Sequence, residues 1–141
     1  MHLDDVDLAG DWQARWIMKD EIVSVEFAAS EGELTSAVGV NRYAAGDAVL
    51  TGSTGDRWCV SRARFDAKYR PVGSARPGEP GRYRNVPAPI RGKQMTEAFS
   101  VARSAGGDVL QGAAGDWLVE YAPGDHGIVA RARFDEVYRA V

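Results

Sequence analysis

Aspartate, histidine and arginine side chains stand in this chain at spacings that could support acid–base chemistry or the binding of an anion. Asp56 and Asp125 each follow a glycine, and two such carboxylates brought together could exchange a proton with a substrate. His126 follows Asp125 directly and could pair with it or with Asp56. Four arginines stand at corresponding places in the two halves of the chain and could form a cationic stripe: Arg62, Arg64, Arg131 and Arg133.

None of these residues completes a catalytic set. Nucleophilic catalysis needs a nucleophile, a base and an orienting group. Cys59 is the only cysteine, and Ile128 occupies its place in the second half, so we interpret Cys59 as a core residue. Two distant histidines, His2 and His126, do not predict a zinc site, which needs three or four ligands. We therefore expect no catalytic residue, metal or cofactor, and we assign the four arginines, Asp125 and His126 as candidate binding residues.

The structural elements that must position these residues belong to a segment that is repeated in the chain. Residues 44–72 align without a gap on residues 113–141, and 15 of the 29 aligned positions are identical. The pentapeptide RARFD stands at 62–66 and again at 131–135. Two copies are too few for a solenoid, so the repeat predicts a duplicated half that packs against its twin.

Each copy predicts a turn, a short strand, a hairpin turn and a returning strand. The turn AAGD is followed by the apolar run AVL in one copy and WLV in the other. In the second hairpin, Pro123 and Gly124 suit the central positions of a type II turn. Alternation in the returning strand places the small residues and the phenylalanine of RARFD inward, and its two arginines outward.

RARFD is interpreted as the corner at which the returning strand passes into a helical turn. Phe65 and Tyr69 are four residues apart, as are Phe134 and Tyr138, and this spacing places both rings on one side of a helical turn. Both phenylalanines are therefore predicted to fill the core.

These patterns predict an α+β, β-rich fold: two small sheet or half-barrel units with short helical turns, related by a pseudo-twofold axis and sharing one core. One globular domain, 1–141, is expected to contain repeats at about 15–72 and 93–141. Trp12 and Trp16 are expected to cover the core from a short N-terminal helix. The segment 73–92 holds four of the six prolines and several arginines, and it is interpreted as an extended crossover on the surface.

Composition excludes several classes of protein. A hydrophobic fraction of 45% and a charged fraction of 26% are those of a folded globular protein. The net charge of −3 argues against recruitment of nucleic acid, and no apolar run approaches a membrane span. A single cysteine and an acidic N-terminus without an export signal predict a cytoplasmic protein.

The second copy, GDWLVEYAPGDHG followed by FDEVYRAV, resembles the bacterial PGDYG domain family, which is named for the turn found here at 123–127. His126 stands in the place of the tyrosine. The first copy resembles the same unit with a degenerate turn at 54–58, and together the two cover roughly 19–72 and 93–141. The resemblance implies an architecture and a bacterial or phage-related context, and it implies no catalytic role.

The sequence favours a binding module over an enzyme. The module would use the seam between the repeats or the basic crossover to bind a protein or a small anionic ligand, and it could form a homodimer. The alternative is a small hydrolase or nucleotide-processing enzyme that uses Asp56 and Asp125 at the seam. A third hypothesis, single-stranded nucleic acid stacked on Trp58, Trp117, Tyr83 and Tyr121, is disfavoured by the net charge.

Overall fold

The computed structural model describes residues 1–36, 39–103 and 107–141. The chain divides into two compact units. The continuous unit is Asp20–Pro87, and the split unit combines Met1–Lys19 with Ala88–Val141.

The chain begins in the split unit with β1 (His2–Leu3), a 3₁₀ turn (Leu8–Gly10) and β2 (Arg15–Lys19). The continuous unit then forms β3 (Ile22–Phe27), β4 (Gly32–Ser36), β5 (Gly39–Tyr43), β6 (Ala48–Thr51), β7 (Arg57–Val60), α1 (Arg62–Lys68), β8 (Tyr69–Pro71) and β9 (Gly81–Asn85). The split unit resumes with β10 (Ile90–Gln94), β11 (Phe99–Ala102), β12 (Val109–Gly112), β13 (Trp117–Ala122), β14 (Asp125–Val129), α2 (Arg131–Val137) and β15 (Tyr138–Ala140). The prediction of a β-rich fold with short helices is confirmed.

The two units contain five-stranded antiparallel sheets with the same order of elements. The order is β7-β6-β3-β9-β8 in the continuous unit and β14-β13-β10-β2-β15 in the split unit. A second hairpin in each unit completes the correspondence: β4 pairs with β5, and β11 pairs with β12. The similarity therefore extends well beyond the aligned residues 44–72 and 113–141.

One strand in each sheet departs from a simple tandem repeat. In the continuous unit, β9 follows β8 along the chain and lies between β3 and β8. In the split unit, the equivalent place between β10 and β15 is taken by the N-terminal strand β2. The predicted first repeat of about 15–72 is therefore wrong at its start, because residues 15–19 complete the sheet of the other unit.

The interpretation of 73–92 as a surface crossover is also wrong. This segment contains all of β9, an interior strand, and the beginning of β10, the central strand of the other sheet. Its four prolines lie outside both strands, where a missing N–H costs no ladder hydrogen bond: Pro77, Pro80, Pro87 and Pro89. Tyr83 of β9 is 1% exposed, and its hydroxyl donates to carbonyl oxygens of the preceding turn.

The repeated AAGD turns have the same local structure. In each turn the aspartate carboxylate accepts a hydrogen bond from the first alanine N–H, at 2.8 Å for Asp47 and 2.9 Å for Asp116. The glycine between them has a positive φ, +87° in one copy and +94° in the other. These positions need glycine and aspartate for the turn itself, which explains why both copies retain them.

RARFD forms a helix in both copies and is not the end of a strand. The returning strands stop at Val60 and Val129, and α1 and α2 begin two residues later. Helical geometry separates Arg62 from Arg64 by about 200° around the axis, so they do not share an outward face. The predicted burial of Phe65 is confirmed, because the helix also directs this residue toward the sheet. Phe65 is 1% exposed.

Each unit has hydrophobic clusters made of its own residues, so the prediction of one core containing both phenylalanines is wrong. Phe65 stacks on Tyr69 with ring centroids 5.1 Å apart and meets Tyr83 edge-on. Phe134 stacks between Trp117, at 3.8 Å, and Tyr138, at 5.2 Å. The predicted pairing of each phenylalanine with the tyrosine four residues later is confirmed.

Among the residues that the structure describes, no helix is long and apolar enough to cross a membrane.

Candidate functional site

The turn PGDHG closes the hairpin between β13 and β14. Gly124 has φ +79°, as the third position of a type II turn requires. The pairing register shifts between Glu120 and Ala122, so Tyr121 is the extra residue of a β-bulge. The Tyr121 ring covers Gly127, because a Cβ built at that glycine would lie 2.8 Å from the ring and 2.9 Å from the hydroxyl.

His126 points into the protein and forms a buried pair with a residue that the sequence did not single out. Its Nε2 lies 3.0 Å from Glu120 Oε1, and the two side chains are only 6% and 8% exposed. The same carboxylate oxygen is 3.5 Å from the backbone N–H of Leu8. The hypotheses of pairing with Asp125 or Asp56 are therefore replaced by pairing with Glu120, which stands directly across the hairpin. His126 cannot meet a ligand from this position without local opening.

Tyr121 lies beside a set of charged residues on the same hairpin and helix. Tyr121 is 38% exposed, yet desolvation of its hydroxyl raises the pKa of that group above its usual value, and the Asp125 carboxylate raises it further. Arg133, Arg103 and a hydrogen bond with Tyr138 lower that pKa and only partly offset the rise. The phenol therefore stays neutral near pH 7. Asp125 and Arg133, both candidate binding residues, face this tyrosine and contribute to a structural network.

Replacing Glu120 by alanine should destabilise the split unit by about 1–3 kcal/mol, because the buried imidazole of His126 loses its hydrogen-bond partner. Urea unfolding followed by circular dichroism measures the change. Glu136→Ala, at an exposed position of α2, is the matched control. Equal stabilities of the two variants would contradict a structural role for the Glu120–His126 pair.

The four candidate arginines divide between the two units and lie on helices. Arg62 forms an i, i+4 ion pair with Asp66 at 3.0 Å, and its guanidinium lies 4.6 Å from the centre of the Phe27 ring. Arg131 donates its backbone N–H to Asp116 at 3.0 Å and remains exposed. Arg64 and Arg133 also make interactions within the protein. The structure brings none of these side chains into one stripe within a unit.

The other side chains considered for chemistry have structural roles. Asp56 accepts a hydrogen bond from the Thr54 hydroxyl in the hairpin turn. Cys59 is buried, and its thiol donates to the Arg42 carbonyl at 3.7 Å. Asp56 belongs to the continuous unit and Asp125 to the split unit. Within the described ranges, no group of three histidine, cysteine or carboxylate side chains is placed to hold a metal ion.

Two of the four aromatic residues considered for base stacking are held inside the protein and Tyr121 is 38% exposed, whereas two tryptophans assigned to the core are exposed. Tyr83 is buried and Trp117 is stacked on Phe134. In contrast, Trp12 is 90% exposed and Trp16 is 48% exposed. The expected N-terminal helix is only a 3₁₀ turn, and Trp16 lies in β2 with its side chain half exposed.

Trp16 is the centre of what we call the tryptophan face. Arg91 of β10 stands directly opposite Trp16 in the ladder, and its guanidinium lies 4.1 Å from the centre of the indole ring. Met18, two residues along β2, shares the side of Trp16 and stands opposite Arg139 of β15. The tryptophan face thus comprises four neighbouring side chains on three strands: Trp16, Met18, Arg91 and Arg139.

The turn that carries Trp12 is anchored beside this face. The Asp11 carboxylate accepts a hydrogen bond from Lys93 Nζ at 2.9 Å and another from the Gln13 N–H at 2.8 Å. The hydrogen bond with Lys93 is the largest of the effects that lower the pKa of Asp11 below its usual value, so the carboxylate is ionised at neutral pH. Lys93 is two residues from Arg91 on β10, which places the turn next to the tryptophan face.

Sequence reasoning missed this site because tryptophan is normally assigned to a core. The sequence did place Arg91 in the basic segment 73–92, which was considered as a binding surface. Nothing in the local sequence, however, indicates that Arg91 lies beside Trp16.

Comparison with protein-family models matches residues 39–139 to the family described as PGDYG protein. The match begins at the first residue of β5 and ends within β15, so it includes both AAGD turns and both helices. Comparisons with curated proteins and with solved structures found no match.

Proposed function

We propose that this chain, which belongs to the PGDYG protein family, is a non-enzymatic binding module whose tryptophan face takes an acidic, partly apolar segment of a partner protein. The observation that carries the proposal is the half-exposed Trp16 ring under the guanidinium of Arg91. Arg91 is the part of the basic segment 73–92 that this function would use.

The residue types of the tryptophan face favour a protein partner. Tryptophan, methionine and arginine are enriched at the centres of protein interfaces, where they dominate the binding energy. Trp16 and Met18 provide adjacent apolar surface, and Trp12 offers a further exposed ring on the anchored turn. An apolar side chain of the partner would cover the indole and the thioether.

The charges favour an acidic partner segment over a second copy and over nucleic acid. Two copies joined through this face would bring two pairs of Arg91 and Arg139 together, and like charges in an interface repel. A nucleic acid backbone passing over Trp12 would meet the exposed aspartates of the N-terminal segment in a chain with net charge −3: Asp4, Asp5 and Asp7. A polypeptide, in contrast, can place its carboxylates beside the arginines of the tryptophan face and keep them away from the N-terminal aspartates.

An enzymatic function has less support from the geometry. The predicted carboxylate pair would use Asp56, which already accepts the Thr54 hydroxyl, and Asp125, which faces Tyr121. A pseudo-twofold arrangement of the two units, a cytoplasmic location and a bacterial or phage-related role remain predictions that accompany the binding-module proposal.

The test is fluorescence anisotropy with three fluorescein-labelled peptides of equal length. One alternates aspartate with leucine, one replaces leucine by serine, and one replaces aspartate by lysine. We expect the full chain to bind the first peptide most tightly. Trp16→Ala and Arg91→Gln should each weaken this binding by about tenfold or more, because such residues usually contribute over 1 kcal/mol.

Arg76→Gln, an exposed arginine in a turn of the continuous unit, is the matched control and should bind like the unchanged protein. Tighter binding of a single-stranded oligothymidylate would show that nucleic acid is the partner. A concentration-dependent dimer that Trp16→Ala abolishes would show that the partner is a second copy of this chain. Either result, or equal binding of all three peptides, would contradict the proposal.

A further inference from the structure

A second polar surface lies on the five-stranded sheet of the continuous unit, which contains no residue of the tryptophan face. Four side chains stand opposite one another across four neighbouring strands. Arg57 of β7 faces Thr51 of β6, Thr51 faces Ser24 of β3, and Ser24 faces Arg82 of β9. Directly opposite residues share one side of an antiparallel sheet. Two hydroxyls are therefore flanked by two arginines; we call this set the arginine–hydroxyl row.

The spacing of the row suits a small anion. Neighbouring strands are about 4.8 Å apart, so the two arginine Cα atoms are separated by about 14 Å. Long arginine side chains at that separation can both reach an anion held above the central hydroxyls. All four residues line one open groove of about 460 Å³. That volume lies within the range of small-molecule sites.

Among the described residues, neither arginine of the row is held in an ion pair, unlike two other arginines of the continuous unit. Arg84, two residues along β9, lies 3.7 Å from the Asp20 carboxylate, and Arg62 is paired with Asp66. In the described part of the chain, no ion pair joins Arg57 or Arg82 to an acidic side chain. Their positive charge is thus available to a ligand.

An exposed carboxylate stands at one side of the row. Glu26 is two residues from Ser24 on β3 and shares its side of the sheet, about 7 Å away. It lines the same groove as the arginines and forms no ion pair with either within the described residues. A ligand that fills the groove would place a cationic or hydroxyl group against Glu26.

We infer that the arginine–hydroxyl row and Glu26 form a binding site for a small zwitterionic phosphomonoester, with the phosphate on the row and an ammonium group on Glu26. A phosphomonoester suits the row better than a carboxylate does, because its three terminal oxygens can accept from two guanidinium groups and two hydroxyls together. A carboxylate has only two oxygens. Glu26 disfavours polyphosphates and favours a ligand whose second group is positive.

Two probes that differ only in the ammonium group test the site: 3-aminopropyl phosphate and propyl phosphate. Isothermal titration calorimetry on the full chain gives the affinities, and amide chemical shifts of Ser24 and Thr51 give the location. The aminated ligand should bind more tightly. The double variant Arg57→Gln, Arg82→Gln should weaken both ligands by about tenfold or more, because charge-assisted hydrogen bonds are lost.

Glu26→Gln separates the two parts of the inference. It should leave the affinity for propyl phosphate unchanged or slightly higher and remove the preference for the aminated ligand. Arg76→Gln and Glu79→Gln, exposed residues of a turn in the same unit, are the matched controls. Absence of shifts at Ser24 and Thr51, or a preference that survives Glu26→Gln, would overturn the assignment. Co-sedimentation of the chain with phosphatidylethanolamine vesicles, lost in the double variant, would overturn the assignment to a phosphomonoester, because that lipid headgroup is a phosphodiester with only two terminal oxygens.

Discussion

A fragment comprising residues 20–87 is expected to unfold cooperatively by itself, whereas a fragment comprising 88–141 is expected to remain unfolded. The first contains all five strands of its sheet and a cluster of buried side chains drawn entirely from its own residues. The second lacks β2, the strand between β10 and β15, so β15 loses the strand with which it pairs, and Ile17 is missing from the cluster around Phe134. Far-ultraviolet circular dichroism during thermal unfolding and the dispersion of amide NMR signals distinguish the outcomes.

Addition of a peptide covering residues 1–19 to the second fragment provides the control. We expect the peptide to restore a folded spectrum, because it supplies the missing strand and Leu8 of the second cluster. A folded 88–141 fragment without the peptide would show that β2 is dispensable. An unfolded 20–87 fragment would show that this unit buries too little surface to fold by itself.

Phe65→Ala is expected to reduce stability by about 3–5 kcal/mol, and Phe134→Ala by a similar amount, because each removes a buried aromatic side chain and leaves a cavity. Phe65 is 1% exposed and contacts three aromatic rings: Phe27, Tyr69 and Tyr83. Phe134 is 8% exposed, and its replacement removes the stacking contacts with Trp117 and Tyr138. Native-state hydrogen exchange reports the loss within the unit that carries each change.

The arginines of the same pentapeptide provide the comparison. Arg62→Ala removes an exposed ion pair with Asp66 and should cost about 0–1 kcal/mol. Arg131→Ala should cost no more, because its hydrogen bond to Asp116 comes from the backbone. If the arginine variants were less stable than the phenylalanine variants, the assignment of the buried and exposed sides of both helices would be wrong.

Local chemistry was readable from the sequence wherever neighbouring residues determine it. The AAGD turns need a glycine with positive φ and an aspartate that accepts a nearby N–H, and both requirements are met within four residues. The hairpins and the stacking of each phenylalanine on the tyrosine four residues later are likewise short-range features. The repeat itself indicated that these features would recur.

The helix at RARFD could not be chosen from local pattern alone. Small residues alternating with arginine satisfy a strand, and the same residues satisfy a helix in which Arg62 meets Asp66 and Phe65 meets Tyr69. Both interpretations bury the phenylalanine. The end of the ladder at Val60 decides between them, and strand pairing is a contact between distant residues.

Three features depend on the tertiary structure, because each requires hydrogen bonding between particular strands. The strand beside β10 comes from residues 15–19, which are more than 70 positions away in the chain, and only ladder pairing selects it. That pairing places Trp16 directly opposite Arg91, with the indole half exposed and the guanidinium over its ring. His126 becomes a buried partner of Glu120 because the bulge at Tyr121 aligns the two strands. The sequence by itself determined which residues make turns, hairpins and buried aromatic pairs; the choice of which strand lies beside which, and hence which side chains meet solvent, required the hydrogen-bonded sheets.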